Sequence, residues 1–207
     1  MPDLSLRFDA HTEHFYSRQL AWLRDRALND PFVGPVSVEI GSNRGKFLRE
    51  LSGRDPERFY IGIEWRHKFV ELAKEMFEKH GVANAITFRA DANLAIPVLF
   101  DEGQLQELFV LFPDPWWKSR HRKRRIIQPA FLDILATKMP LGAMIWIRTD
   151  VGTLADDMRE ILDAHPCFEA LPFEQFPVEP FPRTNREVTI IAKGLPIHPL
   201  YYRRVEA

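Results

Sequence analysis

Residues 35–51 read PVSVEIGSNRGKFLREL. Val36, Val38 and Ile40 alternate as in a strand, and Phe47, Leu48 and Leu51 return at helical spacing. Between them Gly41 and Gly45 permit a tight turn and close approach of backbone to a ligand. The unit is therefore strand (35–40), glycine loop, helix (44–51). The same unit recurs outward along the chain. RFYIGIE (58–64) is a predicted strand followed by a helix over 67–80 that Gly81 closes. AITFRA (85–90) is a third strand, followed by a short helix, LAIPVLF, broken at Pro97. LQELFVLF (105–112) and AMIWIRTD (143–150) are the fourth and fifth strands, each followed later by a helix, at 129–139 and 154–165. CFEAL (167–171) and REVTIIAKG (186–194) are predicted as the last two strands. HFYSRQLAWLRDRAL (14–28) is predicted as an N-terminal helix ended by Asn29-Asp30-Pro31. Alternating strands and helices predict an α/β fold of the Rossmann-like kind, a seven-stranded, mostly parallel sheet with helices on both faces. Continuous apolar runs such as LFVLF suit strands buried on both sides. Residues 1–30 are expected as a helical extension and 31–207 as the catalytic domain.

A chain of 207 residues, 45% hydrophobic and 12% aromatic, can bury a substantial core. Its one cysteine, Cys167, excludes an intrachain disulfide and Cys-based zinc sites. The seven histidines lack metal-ligand spacing, so no metal is expected. MPDLSLRFDAHTEHF has no apolar core of a signal peptide, and no apolar run reaches membrane-spanning length. A cytoplasmic protein with no membrane partner is the expectation.

In open parallel sheets ligands bind beyond the carboxyl ends of the strands. Glu39, Glu64, Asp91, Asp114 and Asp150 all fall at or just after predicted strand ends. Five acids on one rim form a constellation. The glycine loop is G-x-N-x-G, unlike the G-x-G-x-x-G of dinucleotide folds. Glu39 would repel a pyrophosphate and would suit an ammonium. S-adenosylmethionine carries an ammonium and a sulfonium and no phosphate. Glu64 can accept from both ribose hydroxyls or cap the following helix. Asp91 can bond an adenine amino group or cap its own helix. Trp65 and Arg66 flank the nucleoside in this reading.

Residues 111–125 read LFPDPWWKSRHRKRR. Two prolines fix Asp114, and a cationic block follows. Six of the chain's 28 Lys and Arg residues fall within 118–125, leaving 22 basic against 29 acidic residues elsewhere. A concentrated patch can hold phosphates on a chain whose net charge is only −1.

EIGSNRGKF, YIGIEW, LFPDPWWKSRHRKRR, RTD and TNRE, in that order, resemble the tRNA (guanine-N7)-methyltransferases. The resemblance covers roughly residues 35–194. It implies the class I methyltransferase fold, S-adenosyl-L-methionine as donor, and a variable-loop guanosine of tRNA as acceptor. It implies that Glu39, Gly41, Gly45, Glu64, Asp91 and Asp114 bind the cofactor, with Asp114 also catalytic. It implies that Lys118, Arg120, His121, Arg122, Lys123, Arg124, Arg125 and Asp150 contact substrate, together with Thr184, Asn185, Arg186 and Glu187. Three positions depart from the family's pattern: Asn43 replaces the loop's middle glycine, Trp117 stands where a small residue is usual, and Arg186 where an aromatic one is.

Guanine N7 is an exposed lone pair with no proton to remove, so the reaction needs alignment more than a strong base. Asp114 could accept from guanine N1–H and the 2-amino group, which adenine lacks, and Asp150 could share that work. Trp116 or Trp117 could stack on the base. Phe173, Phe176 and Phe181 lie in a proline-rich stretch expected near the pocket. A competing reading is a methyltransferase-fold RNA-binding protein that lacks activity or needs a partner; cofactor binding separates the two. A small-molecule methyltransferase would leave the basic block without a purpose, and a nicotinamide dehydrogenase would need the missing glycine pattern. Monomer and homodimer both stay open at this level.

Overall fold

The computed structural model describes residues 10–175 and 181–207. Seven strands form one sheet in the order β3-β2-β1-β4-β5-β7-β6. They are β1 (Val36–Ile40), β2 (Phe59–Glu64), β3 (Ala85–Arg89), β4 (Leu105–Leu111), β5 (Met144–Thr149), β6 (Phe168–Ala170) and β7 (His198–Arg204). β1 to β5 run parallel, and β7 lies antiparallel between β5 and β6. The helices are α1 (Ala10–Asn29), α2 (Lys46–Ser52), α3 (His67–Lys79), α4 (Ala92–Leu99), α5 (Pro129–Lys138), α6 (Gly152–Asp163) and α7 (Asn185–Ala192).

Side chains alternate across each strand, and the alternation splits the core in two. Val36, Val38, Ile61, Ile63, Leu108, Val110, Ile145 and Ile147 face the cluster built with α1, α4, α5 and α6. Tyr60, Phe109, Leu111, Trp146 and Tyr201 face the other way, against Phe47 and Leu48 of α2 and Phe77 of α3. Among the described residues no helix is long and apolar enough to cross a membrane.

Three sequence expectations are corrected. REVTIIAKG is not a strand: its core forms α7. Thr184 caps that helix, its hydroxyl accepting from the Glu187 N–H at 3.0 Å, and this cap outweighs the β-branched run that follows. The seventh strand is instead HPLYYRR, where Leu200 and Tyr202 reach one core and Tyr201 the other. Pro97 does not break α4, which continues through it to Leu99. The N-terminal helix is also longer than its periodic stretch, starting at Ala10.

The strand order places β1 and β4 side by side, with β2 and β3 on one flank and β5 on the other. That boundary is the topological switch point, where the loops diverge and leave a crevice.

Candidate active site

Glu39 and the loop after β1 reach the switch point from one side. Leu111 and Phe112 reach it from β4, and Thr184, Asn185 and Arg186 close it from the start of α7. Together they line a cleft of about 120 Å³. A larger groove of about 760 Å³ runs between α5 and α6, with Arg122, Lys123 and Arg125 among its lining residues. None of the strand-end acids lines that groove, and Glu39 alone of them lines the smaller cleft.

The loop is shaped by three left-handed residues, Gly41, Asn43 and Gly45, at φ 78°, 50° and 71°. Asparagine is the best tolerated non-glycine residue there, which explains its presence at 43. At Gly41 an added Cβ would meet nothing within 4 Å, whereas at Gly45 it would strike the Phe77 ring at 2.8 Å. The two glycines thus do different jobs: Gly41 leaves room in front of the loop, and Gly45 lets α2 pack on α3. Gly62, which the sequence reading passed over, has a third. A Cβ there would fall 2.6 Å from the Ser42 hydroxyl, so its absence lets the loop seat on β2.

Glu64 secures this geometry. Its carboxylate accepts from the backbone N–H of Asn43 at 2.9 Å and of Arg66 at 2.8 Å, joining the loops after β1 and β2. Glu39 is left differently. It is buried, and its Oε2 has no hydrogen-bond partner among the described residues. Burial, and secondarily the nearby Glu64 carboxylate, hold its pKa well above the usual carboxylate range. A buried acid with an orphaned oxygen beside an open glycine is complementary to a cation, and the ammonium of S-adenosylmethionine fits that demand. Asp91 caps α4, accepting from the Asn93 N–H at 2.9 Å, and its other oxygen accepts from the Tyr16 hydroxyl at 2.9 Å. Tyr16 stacks on Trp65, with ring centroids 6.3 Å apart. Helix α1 thereby supports the β2–β3 end of the rim.

Beyond β4 the backbone is unusual. Phe112 and Trp116 both have positive φ, 54° and 46°, and bracket the Pro113-Asp114-Pro115 turn. Bulky residues rarely adopt this region, and such outliers concentrate at functional sites. Phe112 is pinned there by its N–H bond to the Arg148 carbonyl at 2.7 Å. Asp114 is exposed, with no partner among the described residues. Nothing in composition signals these two dihedrals.

The basic block is a short 3-10 helix, Ser119–Arg124, with Lys118, Arg120, Arg122, Lys123 and Arg124 exposed. Trp116 braces it: His121 packs edge-on against the indole at 5.8 Å, and the Arg124 guanidinium lies 5.1 Å from its centre. Trp117, by contrast, is 69% exposed. Partial desolvation, with the neighbouring Arg124, Arg120 and Lys118 charges, lowers the His121 pKa. Arg125 is used differently from the rest of the block. It is paired with Asp157 of α6, donates to the Pro115 carbonyl at 2.9 Å, and its side chain is only 10% exposed. It anchors the block to the domain. On the same rim, the Arg44 and Arg66 guanidiniums lie 5.7 and 5.4 Å from the Phe69 ring, so Arg66, expected beside the nucleoside, shares a cationic face with Arg44.

The residues before and in α7 form a strap across the cleft. Phe181 packs edge-on to Phe109 and Trp146 at 5.4 and 4.8 Å. Phe173 begins a 3-10 turn (Phe173–Gln175), and Phe176 lies outside the described residues. The Lys46 ammonium donates to the Arg183 carbonyl at 2.7 Å. Glu187 turns inward, accepting from Arg148 Nη1 at 2.8 and 3.1 Å, while Arg148 Nε bonds the Tyr201 hydroxyl at 3.2 Å. Arg186 pairs with Asp150 at the end of β5.

The doubly wound sheet, with β7 inserted antiparallel between β5 and β6, is that of the class I methyltransferase fold. Solved structures agree on the fold: a SAM-dependent methyltransferase from Aquifex aeolicus aligns over 91% of this chain and 98% of its own, at TM-score 0.56 and 16% identity. A SAM-dependent O-methyltransferase from Thermotoga maritima covers 92% of this chain and 66% of its own, at TM-score 0.56 and 16% identity. A family model described as "Putative methyltransferase" matches residues 33–200. A tRNA (guanine-N(7)-)-methyltransferase of Synechococcus elongatus is 34% identical over 177 residues, 84% of this chain and 83% of its own. The Myxococcus xanthus protein of the same name is 34% identical over 171 residues, 81% and 82% of the two chains. The chain belongs to the tRNA (guanine-N7)-methyltransferase family.

Proposed function

We propose that this protein transfers the methyl group of S-adenosylmethionine to N7 of a guanosine in the variable loop of tRNA, acting in the cytoplasm through the domain spanning 31–207. The observation that carries this reading is the pairing of two features beyond the strand ends: a cleft that holds the buried, partnerless Glu39 Oε2 beside the open Gly41, and an exposed cationic 3-10 helix that follows β4 in the chain. The first suits a cationic donor and the second a polyanionic acceptor.

The donor supplies an electrophilic methyl group on sulfur. Glu39 answers its ammonium, Gly41 lets backbone approach, and Glu64 and Asp91 bound the nucleoside end. Asp114, fixed by two prolines and two left-handed residues, faces the place where the base arrives. It orients the base and steadies positive charge as N7 is alkylated. Trp117 offers a free ring for stacking. Lys118, Arg120, Arg122, Lys123 and Arg124 hold phosphates next to carboxylates that alone would repel RNA. The deciding experiment is transfer from labelled S-adenosylmethionine to unmodified tRNA with the product nucleoside identified. N7-methylguanosine that is lost in Asp114→Ala is the expected result. Wild-type turnover in that variant would remove Asp114 from its role, and no transfer by the native protein would overturn the reading.

A further inference from the structure

Guanine and arginine present the same recognition edge. The N1–H and 2-amino group of guanine are two parallel donors, and a guanidinium offers the same fork through Nε and one Nη. Arg186 uses that fork on Asp150. Nε donates to Oδ1 at 3.2 Å and Nη2 to Oδ2 at 2.6 Å, so both carboxylate oxygens are taken. The two partners differ in setting: the Asp150 side chain is 13% exposed and that of Arg186 is 56% exposed. The acid is fixed in the rim at the end of β5, beside the strand that delivers the Pro-Asp-Pro turn. The arginine reaches it from solvent. The Arg186 backbone is held by the Thr184 cap and the inward Glu187–Arg148 pair, so only its side chain is free to swing.

We propose that Asp150 is the acceptor that selects guanine and that Arg186 is a built-in placeholder, covering the carboxylate until the base's Watson–Crick edge displaces it. The inference rests on the functional reading above and adds how the site recognises its base. An ion pair with a largely solvated member is weak, so the exchange is easy. Adenine offers a lone pair at N1 and no 2-amino group; it would leave the half-buried carboxylate uncovered and so cannot displace Arg186 favourably.

The test reads the side chain directly. The Arg186 Nε–H resonance of 15N-labelled protein is assigned by its loss in Arg186→Gln, and the native protein is titrated with guanosine and, separately, with adenosine. The expected result is a shift with guanosine only, absent in Asp150→Asn. Steady-state kinetics give a second readout. Removing the placeholder in Arg186→Gln should lower KM for unmodified tRNA by about two- to fivefold, the range set by exposed ion pairs. Arg186→Lys, which keeps the charge but loses the fork, should behave like the glutamine variant. A resonance unmoved by guanosine, an equal response to adenosine, or a KM that rises in Arg186→Gln would each overturn the proposal. Because the resonance needs no turnover, an unresponsive Arg186 in a protein that does methylate tRNA refutes the placeholder alone. Absent methylation refutes the functional reading instead.

Discussion

Glu39 and Glu64 end neighbouring strands of the same sheet, yet the Glu64 carboxylate bonds two backbone N–H groups while Glu39 keeps a buried oxygen with no partner. Burial, and secondarily the Glu64 carboxylate beside it, raise the cost of charge on Glu39. The cleft therefore holds a buried carboxylate oxygen that a cation would complement.

Stability should show this cost. The folded chain disfavours ionised Glu39 and the unfolded chain does not. The folding contribution of this group is intact below the usual carboxylate range and is lost as pH rises through its raised pKa. Glu39→Gln should therefore melt higher than the native protein at neutral and alkaline pH, each kcal/mol recovered appearing as about 2–4 °C in a chain of this size. Calorimetry should also find cofactor binding lost in that variant.

Cofactor binding should depend on pH with the opposite sign. A bound ammonium favours the carboxylate, so the Glu39 pKa falls on binding. Between the bound and free values, binding releases a proton, and affinity should rise with pH by up to about tenfold per unit, then level off above the free value. Titration in buffers of different ionisation enthalpy would measure the released proton; its absence would separate Glu39 from the ammonium.

The basic block should divide into two kinds of arginine. Replacing Arg120, Arg122 and Arg124 together by alanine should weaken tRNA binding and reduce the slope of log affinity against log salt by about 2 to 3. Arg125→Ala should leave that slope almost unchanged and lower thermal stability, because it strands Asp157 and the Pro115 carbonyl. Filter binding at several salt concentrations, paired with thermal melts, distinguishes them.

Arg148 and Glu187 should be inseparable. Glu187→Gln leaves a buried guanidinium without its counter-charge and should cost about 3–5 kcal/mol in urea unfolding, whereas Arg148→Met with Glu187→Leu should recover most of that loss.

The five parallel strands are legible in the sequence because each is an apolar run ended by an acid and a loop, and burial on both faces makes such runs continuous. The last third is harder. Val188, Thr189, Ile190 and Ile191 have the composition of a strand, and their helix depends on one cap. The T-x-x-E spacing of Thr184 and Glu187 signals this cap, and the same four residues carry the family's substrate motif, so one pattern holds two meanings. β7 is masked in the sequence because Pro199 sits inside it, at a place where it pairs with Arg148 in an antiparallel register. The acids of the rim were placed correctly at strand ends. Their differing states, one orphaned, one saturated, one covered by arginine, depend in part on contacts such as Asn43 to Glu64 and Arg186 to Asp150, 21 and 36 positions apart, which no local pattern encodes.

The Arg148–Glu187 pair also constrains how the chain can change over generations. Each residue is harmful without the other, so neither can drift alone, and a lineage that loses one must replace its partner soon after. Helix α7 and strand β5 are separated by 35 residues between Thr149 and Asn185, yet the ion pair makes a change in one depend on the other. The strap across the cleft is therefore expected to vary in its exposed letters, such as positions 188 and 191, while the inward charge beside it stays tied to the sheet.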